Sequence, residues 1–472
     1  MTTRTESQFA LNYGLDDVPR PFVKALGLGI QHVLTMFGAT VLVPLLLGPA
    51  MGMDTAQIAI LVSSVFVCSG LATFVQAHWG SRLPIIQGVS FAFLPAFFGI
   101  IAAHPGEDAM RYIAGGVLIG AVFEIAIGFG GVIGFLRRFV TPVTIAPVIA
   151  HIGLSLFGAA SDTASTHWPM ALLMLALVFV FSLILAPKYR FFSLFPVLLA
   201  IITSYVVALL LTWTGVFPAD SPQGVSFAGI GDASWIRGLE VGGGGLLFPW
   251  GTPLLDAGFL IAILAAYLAS MIESFGDYHA VSRLAGAGDP DERTINRGLG
   301  AEGIGCALTG LFGGFASTSY SENIGLVGLT KVASRYVVVL GAGVLVVLGL
   351  IAKFGAVVAT IPTPIVGGAY LALFGLIAAV GLSLLRRIDL DSQRNLMIVG
   401  FVLFAGFVFP YYFGSVEEFS FFGIGWLTNI FQSIGSSGIA TAAVLGLLLD
   451  NLIPGTPEER GAIDAPVIDH PA

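Results

Sequence analysis

Charge is what this 472-residue chain has least of: Asp, Glu, Lys and Arg together make up 10%. A soluble domain of that length needs far more charge to cover its surface, so a soluble globular fold is excluded. Cysteine is nearly absent as well. Cys68 and Cys306 are the only two, both within apolar stretches, which leaves neither a disulfide framework nor a metal-ligand spacing. Basic patches are missing: the 20 Lys and Arg stand one or two at a time between apolar runs, which argues against nucleic acid. His78, His104, His151, His167 and His279 show no spacing of a nucleophile–base pair or a metal centre, so no catalytic residue, metal or cofactor is expected. Residues 1–20 are polar and lack an apolar signal core, so the first apolar run is expected to be a retained span.

What the chain does have is apolar length. Hydrophobic residues make up 56%, and the 61 Gly and 24 Pro suit close helix packing and helix breaks inside a membrane bundle. A crossing helix needs ~20 apolar residues. The runs that approach this in the first half are 22–48, 55–77, 84–102, 111–135, 141–160, 168–186 and 192–213. Those in the second half are 255–284, 297–314, 318–335, 336–359, 363–385, 394–413 and 430–452. The runs 84–102 and 318–335 are interrupted by Gly, Pro or polar residues. With both counted as crossing or re-entering, only Arg111, Arg237 and Lys353 fall outside. The other basic residues, Arg4, Arg137 and Arg138 among them, fall on the cytoplasmic side. That asymmetry supports fourteen segments in a cell (inner) membrane, with both termini cytoplasmic.

A Gly-, Pro- and Ser-rich external loop at 214–254 separates seven segments from seven. Gly116-Val117-Leu118 followed by Thr141-Pro142-Val143 is echoed by Gly343-Val344-Leu345 followed by Thr363-Pro364-Ile365. An odd number of spans per half turns the second copy upside down, an arrangement of membrane carriers. The expected fold is therefore an all-α integral membrane protein of 7+7 inverted segments, with short extended strands in segments 3 and 10. The stretch 414–435, with Glu417 and Glu418, reads as amphipathic on the membrane surface, and the acidic tail from Gly455 as disordered.

Polar residues inside spans are costly and turn toward the bundle interior or a cavity. Gln31-His32 in the first span is either an interhelical hydrogen-bonding pair or part of a polar network behind a substrate. In segment 3, Pro84 and Gly88 disfavour a helix and Val89-Ser90-Phe91 suits extended backbone, as a kink or as a cavity lining. Glu273 and Asp277 lie four apart on one helix face, and two carboxylates in a low dielectric cannot both ionise cheaply, so the pair suits a proton or cation. Glu124, alone in segment 4, reads as a satisfied structural carboxylate. Segment 10, Ser317-Thr318-Ser319-Tyr320-Ser321-Glu322-Asn323, suggests a strand leading into a half-helix, matched to the Ser90 segment. Their two helix N-termini would meet at one pocket.

The stretch Glu322-Asn323-Ile324-Gly325-Leu326-Val327-Gly328-Leu329-Thr330-Lys331 resembles the signature of the nucleobase–ascorbate transporter family. Gln31-His32, Gln87-Gly88 with Ser90-Phe91, and Glu273 with Gly276-Asp277 resemble its motifs in segments 1, 3 and 8. All four lie in the family's order, and the likeness spans almost the whole chain. The resemblance implies core regions at 1–140 and 255–362, and gate regions at 141–254 and 363–472, with the core moving elevator-like against the gate. It implies Glu273 and Glu322 as acceptors for ring N–H groups, and backbone at Phe91 and Ser321 as donors to ring carbonyls. Ser90, Tyr320 and Ala39 would line the pocket. Asn323 would hold the strand–helix junction, and Gln31, His32, Asp277 and Thr330 would belong to the coupling and structural network.

The branches are mixed here. Uracil carriers usually have Glu at the position of Glu322 but often His at that of Asp277. Xanthine and urate carriers show the Glu273/Asp277 pattern with Gln in place of Glu322. Leu83 to Gly88, and Ile272 to Tyr278, look like the sodium-coupled vertebrate branch, whose ascorbate members carry Pro at the signature's first position. A second pocket carboxylate would repel anionic ascorbate. The resemblance thus implies a carrier, not an enzyme, of uracil and/or xanthine coupled to protons. A sodium-coupled ascorbate or purine carrier, or an anion exchanger or channel, is the alternative. Its other expected partners are the lipid bilayer and a second copy of the chain, with no nucleic acid.

Overall fold

The computed structural model describes residues 11–106, 108–132, 139, 141–238, 241–416 and 419–461. Arg4, Arg137, Arg138, Glu417 and Glu418 lie outside the described residues. The first half contains helices α1 (Phe22–Ala50) and α2 (Thr55–His78), strand β1 (Gln87–Val89), and helices α3 (Leu94–Ala103) and α4 (Asp108–Phe129). Helices α5 (Pro142–Ser155), α6 (Phe157–Ser165), α7 (Trp168–Phe179) and α8 (Pro196–Trp213) follow. The second half runs through α9 (Ala257–Leu284), α10 (Glu292–Phe312), β2 (Ser317–Ser319), α11 (Ser321–Thr330), α12 (Arg335–Leu350) and α13 (Ala352–Val358). It ends with α14 (Thr363–Leu384), α15 (Gln393–Ser415), α16 (Gly425–Ser436) and α17 (Gly438–Leu452).

Local chemistry sets these boundaries. Asp54 caps α2 in a reciprocal pair with Gln57, Asp291 caps α10 by accepting from Thr294 N–H at 2.8 Å, and Ser334 caps α12. The turn into α12 passes through Lys331 in a left-handed conformation (φ 59°).

Among the described residues, nine helices are long and apolar enough to cross a membrane, or ten if the bent pair α12–α13 counts as one. The other expected spans are β1–α3, α10, β2–α11 and α17, which are too short or too polar to qualify by that measure. Two of the expected runs are broken. Run 336–359 is not straight: α12 and α13 meet at 84° across Ile351. Run 430–452 begins in α16 and breaks at Ser437, whose side chain caps a new, 15-residue helix α17. The tail is also more ordered than expected as far as Gly461. Arg460 pairs with buried Asp450 at 3.0 Å, and Asn395 donates to the Glu459 carbonyl at 2.6 Å.

Glycine lets the central helices nearly touch. A Cβ on Gly128 of α4 would sit 2.2 Å from the Gly300 nitrogen of α10, and one on Gly70 of α2 would sit 2.7 Å from the Ala342 carbonyl of α12. These pairings, α4 with α10 and α2 with α12, bring first- and second-half helices together. Helices α5 and α14 pack together in the same way, with Gly381 against the Ala150 nitrogen. By contrast, the apolar spans at Trp168–Leu185 and Pro196–Trp213 are only 22% and 28% buried, so they form the least-packed margin of the bundle.

Candidate functional site

The two interrupted segments meet as an antiparallel pair, with Gln87 opposite Ser319, Gly88 opposite Thr318 and Val89 opposite Ser317. Two further bonds extend it: Ser90 N–H to the Ala316 carbonyl at 2.9 Å, and Tyr320 N–H to the Ile86 carbonyl at 3.0 Å. Extended backbone buried inside a membrane bundle needs such pairing, because no water is there to satisfy it. Each strand then turns into a half-helix, β1 through the tight turn Phe91–Phe93 into α3, and β2 through Tyr320 into α11. The first N–H groups of a helix have no partner within it, so both ends offer donors and a positive dipole.

Tyr320 is buried and turned beneath β1. Its ring lies where a Cβ on Gly88 would be, 2.5 Å from Cζ, so only glycine fits there. Its hydroxyl donates to the Val89 carbonyl at 3.1 Å and accepts from Thr40 at 3.4 Å, next to buried Ala39. Phe91 is half-buried and meets Phe374 of α14 edge-on, with ring centres 6.3 Å apart. Ser90 is fully buried, with a hydroxyl that has no hydrogen-bond partner.

Glu273 on α9 and Glu322 on α11 are exposed, whereas Ser270, Ser274, Asp277, Tyr278 and Asn323 beside them are buried. A Cβ on Gly276 or Gly325 would meet nothing within 4 Å, so both helices border open space on this side. The two helices are joined where Ser321 donates to Asp277 at 2.8 Å. The second oxygen of Asp277 has no hydrogen-bond partner. Asn323 donates to the His32 carbonyl at 2.9 Å and approaches the His32 ring nitrogen Nδ1 at 3.2 Å, tying α11 to α1. Gln31 is half-buried, and its backbone carbonyl accepts from Thr35 at 2.9 Å.

Asp277 and His32 thus attach to α11 at adjacent points through different partners. Thr330 stands apart at the far end of α11. There its hydroxyl donates to the Leu326 carbonyl and its own carbonyl accepts from Asn12.

One central residue went unread in the sequence. Glu302 of α10 is fully buried and accepts from three hydroxyls: Ser274 at 2.7 Å, Tyr278 at 3.0 Å and Ser319 at 3.3 Å. Gln76 donates to Tyr278 at 2.7 Å, Gln87 donates to Ser319 at 3.0 Å, and Ser274 also reaches Thr318 at 3.1 Å. The rule that singled out Glu124, a lone carboxylate in an apolar span, points equally to Glu302. Among the described residues, no group of three or more His, Cys, Asp and Glu could hold a metal ion.

Residues 23–414 match the model of a permease family. The chain is 37% identical over 511 residues to Solute carrier family 23 member 1 of Mus musculus, covering 97% of this chain and 83% of that protein. It is 34% identical over 483 residues to Nucleobase-ascorbate transporter 2 of Arabidopsis thaliana, covering 96% and 90%. The chain belongs to the nucleobase–ascorbate transporter family. As a member of that family it is a multi-pass membrane transporter of a small molecule.

Solved structures with the same fold include the transmembrane domain of a cyanobacterial bicarbonate transporter, at TM-score 0.56, 16% identity, 90% of this chain and 100% of that one. A murine Solute Carrier 26 family anion transporter in the inward-facing state matches at TM-score 0.63, 11% identity, 93% of this chain and 69% of that one.

Proposed function

We propose that this family member imports a nucleobase, uracil and/or xanthine, together with a proton. The observation that carries the reading is the placement of Glu273 and Glu322: both exposed, on two helices joined by the Asp277–Ser321 bond, beside a half-helix start. A nucleobase is flat and neutral, with alternating donors and acceptors along its edge. Carboxylates meet its N–H groups, and free backbone N–H at Phe91 and Ser321 meets its carbonyls. An analogue that mismatches this edge leaves buried groups unpaired, which costs about 1–3 kcal/mol for each. A proton on the Glu273–Asp277–Glu322 group offsets the charge that would otherwise cross the membrane alone.

The core (1–140 and 255–362) then carries the pocket past the gate (141–254 and 363–472) in an elevator-like step. Support comes from the seam between α9 and the gate helices α5 and α17. It is lined by Ala265, Ala269, Ile272, Ile145 and Ala443, a surface of small and apolar side chains. The carrier would sit in the cell (inner) membrane with both termini cytoplasmic, as a homodimer joined through its gate helices.

A sodium-coupled carrier of ascorbate is the second reading, since the printed name of the Arabidopsis relative gives ascorbate beside nucleobase. The two exposed carboxylates weigh against an anionic cargo, and the anion-transporting structural neighbours speak for fold alone. The deciding experiment is uptake of radiolabelled uracil, xanthine and ascorbate into proteoliposomes under an inward proton gradient, with and without sodium, alongside Glu322→Gln. Proton-driven nucleobase uptake that is lost in Glu322→Gln supports the reading. Sodium-dependent ascorbate uptake that survives Glu322→Gln overturns it.

A further inference from the structure

Glu124 was expected to be a satisfied carboxylate, and the structure shows otherwise. It is fully buried on α4, and neither of its oxygens has a hydrogen-bond partner. Its neighbours are Glu302 and the Cys306 thiol, both on α10, and it also lies near Tyr267 of α9. The two helices are pressed together at this level, since a Cβ on Gly303 would lie 2.8 Å from the Ile125 nitrogen. Cys306 and Tyr267 already have acceptors of their own, the Ser317 and Val117 carbonyls at 3.3 and 2.8 Å. No cationic side chain is among these neighbours.

An ionised carboxylate without hydrogen bonds, beside a second carboxylate in a water-free interior, is among the most costly arrangements a protein can hold. The donors divide unequally. Glu302 receives three hydroxyls, which suit an anion, whereas Glu124 receives no hydroxyl and is approached only by the weakly donating Cys306 thiol, which suits a neutral acid.

We propose that Glu124 and Glu302 form a second proton-binding site behind the strand pair, holding one proton that resides on Glu124. Glu302 keeps the negative charge and, through it, the grip on Ser274 and Ser319. These two residues adjoin Glu273 and Tyr320, so Glu302 is a positioning residue for the pocket. Loss of the proton from Glu124 would set two anions against each other across the α4–α10 seam and slacken that grip. The site is independent of the cargo and of the coupling ion, so it stands or falls apart from the proposed transport reaction.

Infrared spectroscopy of the purified protein at neutral pH, without substrate, tests the site. Glu273→Gln/Glu322→Gln serves as the background, which leaves Asp277 as the one pocket acid and makes the difference made by Glu124→Gln the readout. The expected result is a protonated-carboxyl C=O stretch that Glu124→Gln removes and that Cys306→Ala shifts without loss. An unchanged band in Glu124→Gln overturns the proposal. If Glu124→Gln does not fold, Cys306→Ala carries the test, and an unshifted band in that folded variant overturns it equally. A thermal stabilisation by sodium that Glu302→Gln abolishes would also overturn it, because the site would then hold a metal cation instead of a proton.

Discussion

The two faces of the short strand pair use the same side chain in opposite ways. In front, Glu273 and Glu322 stand exposed beside open space. Behind, Glu302 is gripped by three hydroxyls, and Glu124 is sealed in without any. A carboxylate that waits for a ligand must be left unsatisfied but wet. One that holds the scaffold together must be satisfied and dry. Glu124 is neither, being dry and unsatisfied, which is why protonation is the economical description of it.

The contrast can be broken most directly by exchanging the burdens. Glu302→Ala leaves the Ser274, Tyr278 and Ser319 hydroxyls without their acceptor, a loss of roughly 3 kcal/mol or more. It should appear in detergent as a large drop in Tm or as failure to fold. Glu322→Gln should change stability by less than about 0.5 kcal/mol, as an exposed substitution does, while abolishing uptake. If the two variants lose stability equally, the division between front and back is wrong.

Gly88→Ala comes next. Its methyl would enter the Tyr320 ring and cost about 1–3 kcal/mol through overpacking. Uptake should fall with stability, since β1 cannot move without dragging Phe91. Tyr320→Phe is gentler, removing one hydroxyl from the Val89 carbonyl for about 1 kcal/mol. Transport kinetics would show whether the freed carbonyl now contacts cargo, as a change in KM with kcat preserved.

The smallest effect is expected far from either face, in the loop between α9 and α10. The hydrogen bond from Arg283 holds exposed Asp289 below the usual carboxylate range. A depressed carboxylate stabilises above its unfolded-state value and loses that contribution as pH falls through its folded-state value. Being fully exposed and screened, Asp289→Asn should leave thermal stability unchanged at neutral pH. A measurable loss there would show that this loop supports the site.

Much of this was legible because membrane depth penalises irregularity. Pro84 and Gly88 in one run, and the hydroxyl series Ser317 to Ser321 in another, suggest extended backbone, with a kink as the alternative for the first. The four-residue spacing of Glu273 and Asp277 shows a shared face, although the structure exposes one and buries the other against Ser321. Partnership was less legible. Nothing local to Gln87 indicates Ser319 opposite it, and nothing local to Tyr320 indicates that its ring turns inward over Gly88 instead of lining open space. The break at Ser437 was hidden because the apolar pattern continues through it, and only the side-chain cap on Ala440 marks the stop. The ordered start of the tail depends on Asp450, a buried charge that Arg394 and Arg460 both reach.

The strand pair also imposes a timetable on the ribosome. Gln87 and Ser319 lie 232 residues apart. At a synthesis rate of ~5–20 residues per second, β1 waits roughly 10–50 s for its partner. Until then its only described polar anchor within the first half is Thr73, whose hydroxyl accepts from the Gln87 N–H at 2.9 Å. A nascent chain halted before residue 317 therefore presents an unpaired polar edge inside the membrane, the kind of surface that quality-control machinery is built to find.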